Sequence, residues 1–271
     1  MNDLAAPARF TDVPSVSVLG VRIHAVTVAD LLGLFANTID SDERALVLHI
    51  NVHGMNLAYT RPWLVNILNQ ADLVYCDGDG VVKGARLLGQ HLPGRLTLAD
   101  WLWTLAEFAC QRGYSLFLLG AQEGVAAKAG ERLRERYDGL RIAGVHHGYF
   151  DKTPGSAENQ AVLDLIRECQ PDIVIVGFGM PIQEQWLHDN WPQLDTHIAI
   201  SAGAIFDFAS GELKRAPAWM NDNGLEWLGR LVVEPRRLWQ RYLVGNPLFL
   251  ARVLRQRLDK RGSTREDTWP R

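Results

Sequence analysis

Cysteine is scarce: Cys76, Cys110 and Cys169 are odd in number, far apart, and lack the spacing of a redox pair or a zinc knuckle. A disulfide framework is thereby excluded, and a reducing cytoplasm is expected. No apolar run reaches the roughly 20 residues that a membrane-spanning helix needs. The opening stretch MNDLAAPARFTDVPS has no apolar centre, so no signal peptide is expected. Internal repeats and low-complexity segments are missing. So is the G-x-G-x-x-G pattern, with no acidic residue placed for a dinucleotide ribose, which argues against a nicotinamide-dependent epimerase or dehydrogenase.

What remains is ordinary globular material: 47% apolar and 22% charged residues in 271 positions, enough for one large domain or a domain with an appendage. Short apolar runs alternate with helical patterns. Strands are expected at Ser17–Ile23, Leu46–Asn51, Leu73–Cys76, Ser115–Leu119, Ile142–His146, Ile173–Gly177 and His197–Ser201. Helices are expected near 28–38, 56–70, 80–89, 98–112, 123–137, 156–169 and 181–190, with Thr97 and Asp100 forming a capping-box variant. Runs such as DIVIVGFG are apolar throughout, as strands covered on both faces must be. The alternation predicts an α/β fold: a Rossmann-like, mostly parallel sheet with helices on both faces. The body spans 1–211, a helical appendage 212–258, and a disordered tail is expected at 259–271.

Charge is divided along the chain. Residues 1–211 balance to −9, whereas 212–271 balance to +6 and hold Trp219, Trp227, Trp239, Tyr242 and Phe249. A basic, aromatic end on an acidic body suits an anionic surface or a phosphate. Nucleic acid is disfavoured, because the acidic body would repel its backbone.

The stretch VYCDGDGVV, residues 74–82, runs a buried strand into two aspartates and two glycines. Asp77 reads either as a turn or helix-cap residue or as a catalytic carboxylate at a strand's carboxyl end, where open α/β sheets hold ligands. Asp77-Gly-Asp79 also has the spacing of an Asp-x-Asp metal clamp, although no metal is expected. Two further glycine turns, FLLGAQEG (117–124) and VGFGMP (176–181), carry strands into helices and suit a phosphate.

HINVHGMN, ADLVYCDGDGVV, LPGRLTLAD, LFLLGAQEGVAAKAGERL, HHGYF, VGFGMPIQEQW, SAGAIFDFASGELKRAPAWM and GLEWLGRLVVEPRRLWQRYLVGNPLFL follow one another in this order. On these stretches, over roughly residues 16–250, the chain closely resembles the WecG/TagA/CpsF bacterial glycosyltransferases, glycosyltransferase family 26. The resemblance implies an inverting, metal- and cofactor-independent transfer from a UDP-sugar donor, of the UDP-N-acetylmannosamine or UDP-glucose type. The acceptor it implies is a sugar linked to undecaprenyl diphosphate, in cell-surface or exopolysaccharide assembly. It implies a cytoplasmic protein held peripherally at the inner face of the bacterial membrane, with the appendage on an anionic membrane surface. A homo-oligomer is left open.

Residue by residue, the resemblance makes Asp77 the base. It assigns Asn51, Arg95 and Gln183 to substrate, with Arg230, Arg237 and Arg241 of the appendage. Where relatives commonly carry threonine two positions before the asparagine, this chain has His49. The competing class is a catalytically silent homologue that binds lipid or a partner.

Overall fold

The structure, a computed structural model, describes residues 9–213, 228–229, 231 and 235–266. It is built on six parallel strands in the order β4-β3-β8-β7-β5-β6: β3 (Ala45–Ile50), β4 (Leu73–Cys76), β5 (Ser115–Gly120), β6 (Arg141–His146), β7 (Ile173–Gly177) and β8 (Ile198–Ser201). Every residue of β3, β4, β5, β7 and β8 is buried, as a doubly covered sheet requires. Successive side chains go to opposite faces. Leu116 and Leu118 therefore join one core with α1 (Val28–Asp40) and α5 (Leu98–Arg112). Phe117 and Leu119 join the other, with α3 (Pro62–Gln70) and α7 (Ala157–Cys169). The fold is a Rossmann-like α/β fold.

Local chemistry explains the helix ends. Thr27 caps α1 in a full capping box with Asp30, and α5 stops at Gly113, whose φ of +74° suits the left-handed cap. Among the described residues of the body, the other α-helices are α2 (Val52–Thr60), α4 (Asp79–Leu87), α6 (Val125–Arg136), α8 (Ile182–Asn190) and α9 (Ile205–Ala209).

Three expectations need correction. The strand expected at Ser17–Ile23 is a hairpin of β1 (Ser15–Val18) and β2 (Val21–His24), turning at Leu19 and Gly20 with φ of +49° and +84°. Both central residues of that tight turn have positive φ, which matches the twist of the two strands. The helix expected over 56–70 is two helices: α2 begins earlier, at Val52, and α3 begins at Pro62. Arg61, before the proline, is extended, as the proline ring demands. Thr97 precedes α5 but makes no side-chain cap hydrogen bond, so the capping-box variant is not formed.

Beyond the body, Pro235–Trp239 is helical, Gln240–Val244 forms a π-helical turn, and a C-terminal helix covers Gly245–Glu266, so residue 258 falls inside it. This helix is tied to the sheet domain. Phe249 and Val253 are buried in the same core as Val81 and Ala85 of α4. Arg252 donates to Asn56 Oδ1 at 2.8 Å and stacks 4.1 Å over Tyr59, while Gln256 accepts the Leu19 N–H at 2.9 Å. Among the described residues no helix is long and apolar enough to cross a membrane.

Candidate active site

The chain leaves β4 at one edge of the sheet and re-enters at β5 towards the other, with β3, β8 and β7 between them. The carboxyl ends of β3, β8, β7 and β5 thus converge on a crevice, as the switch-point rule requires. A cleft of about 980 Å³ opens there, lined by the turns after these strands and by Arg241. Glycine lets the ends of β5 and β7 pair closely beside it: at Gly120 (φ +151°) a Cβ would lie 2.4 Å from the carbonyl oxygen of Gly177, which lines the cleft. A second cavity of about 320 Å³ lies beside it, under the C-terminal helix, with Gly84, Lys83 and Arg95 on one side and Phe249 and Leu250 on the other. Asn51, His53, Asp77, Thr97 and Arg241 line both.

Asp77 stands at that junction. Its N–H donates to the Ile50 carbonyl at 2.8 Å, which extends the β3–β4 pairing by one bond. Gly78 follows with φ +136°, a conformation that only glycine takes without strain, and it is the N-cap of α4 with no side-chain cap bond. The Asp77 carboxylate is therefore not spent on capping the helix. It is 21% exposed, and its Oδ2 lies 3.7 Å from His49 Nε2. Asp79, in the first turn of α4, faces elsewhere: its Oδ2 is 3.7 Å from Arg95 Nη1, and Arg95 Nη2 is 3.8 Å from Asp100. Among the described residues no group of three or more His, Cys, Asp or Glu side chains is placed to hold a metal ion.

Asn51 lines both cavities while its Oδ1 accepts the Gly54 N–H at 3.1 Å as the cap of α2. Gln183 lines neither. It is fully buried, and its Oε1 accepts the N–H groups of Gly179 and Gly203, each at 3.0 Å. These two glycines belong to the cleft wall, so Gln183 shapes the cleft from behind. Its Nε2 donates to Glu184 Oε1 at 2.7 Å; burial pushes the Glu184 carboxyl up to about 7. Arg230 lies outside the described residues, and of Arg237 only the backbone, in Pro235–Trp239, is described.

Sequence reasoning passed over His53 and Tyr75. His53 sits in the first turn of α2; burial, with Arg241 and Arg61 adding to it, lowers its pKa to about 4. Tyr75 is buried on β4, and burial with the nearby Asp77 charge raises its phenol well above the ordinary range. Its hydroxyl has no hydrogen-bond partner among the described residues. The signal for His53 was its place just after a strand end, beside Asn51. Tyr75 gave none, since it reads as one more apolar strand residue.

Among the described residues, Asp77 is the carboxylate that lines both cavities, and Arg241 borders both as well. That is what a transfer between two bound substrates needs. The family model described as "Glycosyl transferase WecG/TagA/CpsF family" matches residues 16–263. A Staphylococcus aureus (strain NCTC 8325 / PS 47) protein named N-acetylglucosaminyldiphosphoundecaprenol N-acetyl-beta-D-mannosaminyltransferase is 29% identical over 242 residues, covering 88% of this chain and 91% of its own. The protein of the same name from strain MRSA252 gives the same identity and coverage.

Proposed function

The chain belongs to the WecG/TagA/CpsF family of glycosyl transferases. On that premise we propose that it moves N-acetylmannosamine or a glucose-type sugar from its UDP carrier to a sugar on undecaprenyl diphosphate, with inversion and without a metal. The observation that carries this reading is the position of Asp77 where the two cavities meet. The larger cleft takes the nucleotide sugar, its glycine turns offering backbone N–H groups to the diphosphate. The smaller cavity, with the apolar Phe249 and Leu250 opposite Lys83 and Arg95, suits a lipid-linked diphosphate sugar.

In the reaction, Asp77 takes the proton of the acceptor hydroxyl as that oxygen bonds to the anomeric carbon. The bond to UDP breaks on the opposite side, and its electron pair leaves with the diphosphate. Arg241, on both cavities, steadies the departing charge. Arg230 and Arg237 are proposed to assist it. One base suffices, unlike the carboxylate pair of a hydrolase.

Docking at an anionic membrane is supported by an exposed stripe on the C-terminal helix that starts at Leu250 on the edge of the second cavity. Leu250, Leu254 and Leu258 recur at helical spacing and are exposed, next to the exposed Arg255. Basic residues near such a surface contribute about 1 kcal/mol each, enough for reversible attachment. The one-base transfer reading is tested by Asp77→Asn, measured as UDP release with a lipid-linked acceptor. Turnover falls by about two to four orders of magnitude while UDP-sugar binding persists. Near-native turnover refutes the base, and Asp79→Asn is mild by comparison. A thermal-shift screen of UDP-sugars decides the donor, since a ligand at 100 times its Kd adds about 2.7 kcal/mol.

A further inference from the structure

We infer that His49 is a positioning residue for Asp77: a neutral imidazole, fixed by Ser201, whose unprotonated Nε2 faces the carboxylate and makes it a stronger base. This rests on the reading of Asp77 as the base. His49 stands on β3, 5% exposed. Its Nδ1 is 3.0 Å from the Ser201 carbonyl oxygen, which can only accept, so the ring proton is assigned to Nδ1. Ser201 Oγ, 2.8 Å from the same nitrogen, also accepts the His49 backbone N–H at 2.9 Å. Held by the neighbouring strand β8, the ring presents Nε2 as a lone pair 3.7 Å from Asp77 Oδ2.

The charge state follows from what surrounds the ring. Asp77 and Tyr75 face it from β4 and the turn after it, Ser201 from β8, and Arg241 from the π-helical turn. Burial lowers the His49 pKa first; Asp77 and the Ser201 carbonyl pull it up, and Arg241 lowers it further. The net direction is down, which keeps the imidazole neutral near pH 7. The Tyr75 phenol stays neutral as well.

A lone pair aimed at an ionised carboxylate is repulsive, and 3.7 Å is too long for a hydrogen bond. Protonation of Asp77 removes that repulsion. With the proton on Oδ2, the two side chains can draw in from 3.7 Å and form an O–H···N hydrogen bond. The interaction therefore favours the state reached when the acceptor hydroxyl gives up its proton over the state before it. Such differential stabilisation raises turnover rather than binding. The proton balance is simple: it leaves the acceptor oxygen, rests on Asp77 and goes to solvent after UDP departs, while His49 neither gains nor loses one. The opposite tautomer, Nε2–H, would hold Asp77 ionised and weaken it.

The tautomer is read directly by long-range nitrogen–proton NMR on the full chain with labelled histidine. The His49 signal is identified by its loss in His49→Gln, or in His49→Asn where the first variant does not fold. A neutral ring protonated at Nδ1 from pH 6 to 8 is expected; Nε2–H or imidazolium overturns the inference. In kinetics, His49→Gln turns an amide donor or a rotatable carbonyl towards Asp77. The acidic limb of kcat/KM is expected to move to lower pH. The kcat falls about three- to tenfold with KM for the UDP-sugar little changed. An unmoved limb with native kcat overturns it. Asp77→Asn run in parallel separates the two readings: if it retains turnover, the base reading fails and this one with it. If it abolishes turnover while His49→Gln shifts neither limb nor kcat, only the role of His49 fails.

Discussion

Phe249→Ala probes how the C-terminal helix is seated. The ring is 3% exposed, and it fills a hollow made by a missing side chain: a Cβ on Gly84 would lie 2.7 Å from Phe249 Cζ. Truncating a buried phenylalanine costs about 3–5 kcal/mol, through lost transfer energy and an unfilled cavity. Phe249 borders the second cavity, so the hole opens onto existing space, and the lower figure, about 3 kcal/mol, is expected here. At about 2–4 °C per kcal/mol for a chain of this size, melting falls by about 6–12 °C. The neighbouring Leu250 is 45% exposed, and Leu250→Ala shifts melting little, by about 0.5 kcal/mol or less. Gly84→Ala alone overpacks the contact and costs about 1–3 kcal/mol. Joined with Phe249→Ala, the new methyl enters the hole, so the double variant is more stable than the sum of the two predicts. Thermal scans of the four variants, with vesicle flotation of Leu250→Ala, complete the test. A melting point for Phe249→Ala within 2 °C of native, or strict additivity with Gly84→Ala, would show that the helix is not held by this contact.

Gln183→Leu leaves the Gly179 and Gly203 N–H groups without their acceptor, at about 1–3 kcal/mol each, and weakens UDP-sugar binding by calorimetry. Native affinity would show that the cleft wall holds its shape without the amide. Glu184 gives a pH signature: its folded pKa of about 7 lies above the ordinary 4.5, so the folded state keeps a proton that the unfolded chain releases. Its contribution to stability is then greatest at and below pH 4.5, falls as pH rises to about 7, and amounts to up to about 3 kcal/mol before levelling off. Melting of Glu184→Gln from pH 5 to 8 should lack that share of the slope; an identical slope would place the titration elsewhere. Activity should persist in EDTA, because the two carboxylates of Asp77-Gly-Asp79 face different partners, His49 and Arg95. Loss reversed by Mg²⁺ or Mn²⁺ would instead make them metal ligands.

Much of the sheet was legible because the information is local. Leu73–Cys76 and Ile173–Gly177 are apolar at every position, and each stops at a glycine or Asp-Gly turn, so their ends could be read to the residue. The hairpin at Ser15–His24 was missed because Leu19-Gly20 joins two short apolar runs into what reads as one strand while reversing the chain. The break between α2 and α3 was written in the sequence as Arg61-Pro62, and was overridden by the apolar period on either side of it.

The sequence by itself determined an α/β domain of buried parallel strands, a basic aromatic end, and a carboxylate at a strand terminus. Each of these follows from residue type and from periods of 2 and 3.6 within a few positions. Only the tertiary structure decided which strand ends meet. β3 lies between β4 and β8, and so His49 comes between Ser201 and Asp77, from segments 152 and 28 positions away in the chain. The same packing turned Gln183 inward to hold two glycines, and brought Phe249 back onto Gly84 to close the second cavity. Contacts of that kind depend on strand order and on the crossing of helices over the sheet. These are set by the burial of the whole core, and no local pattern of residues encodes them.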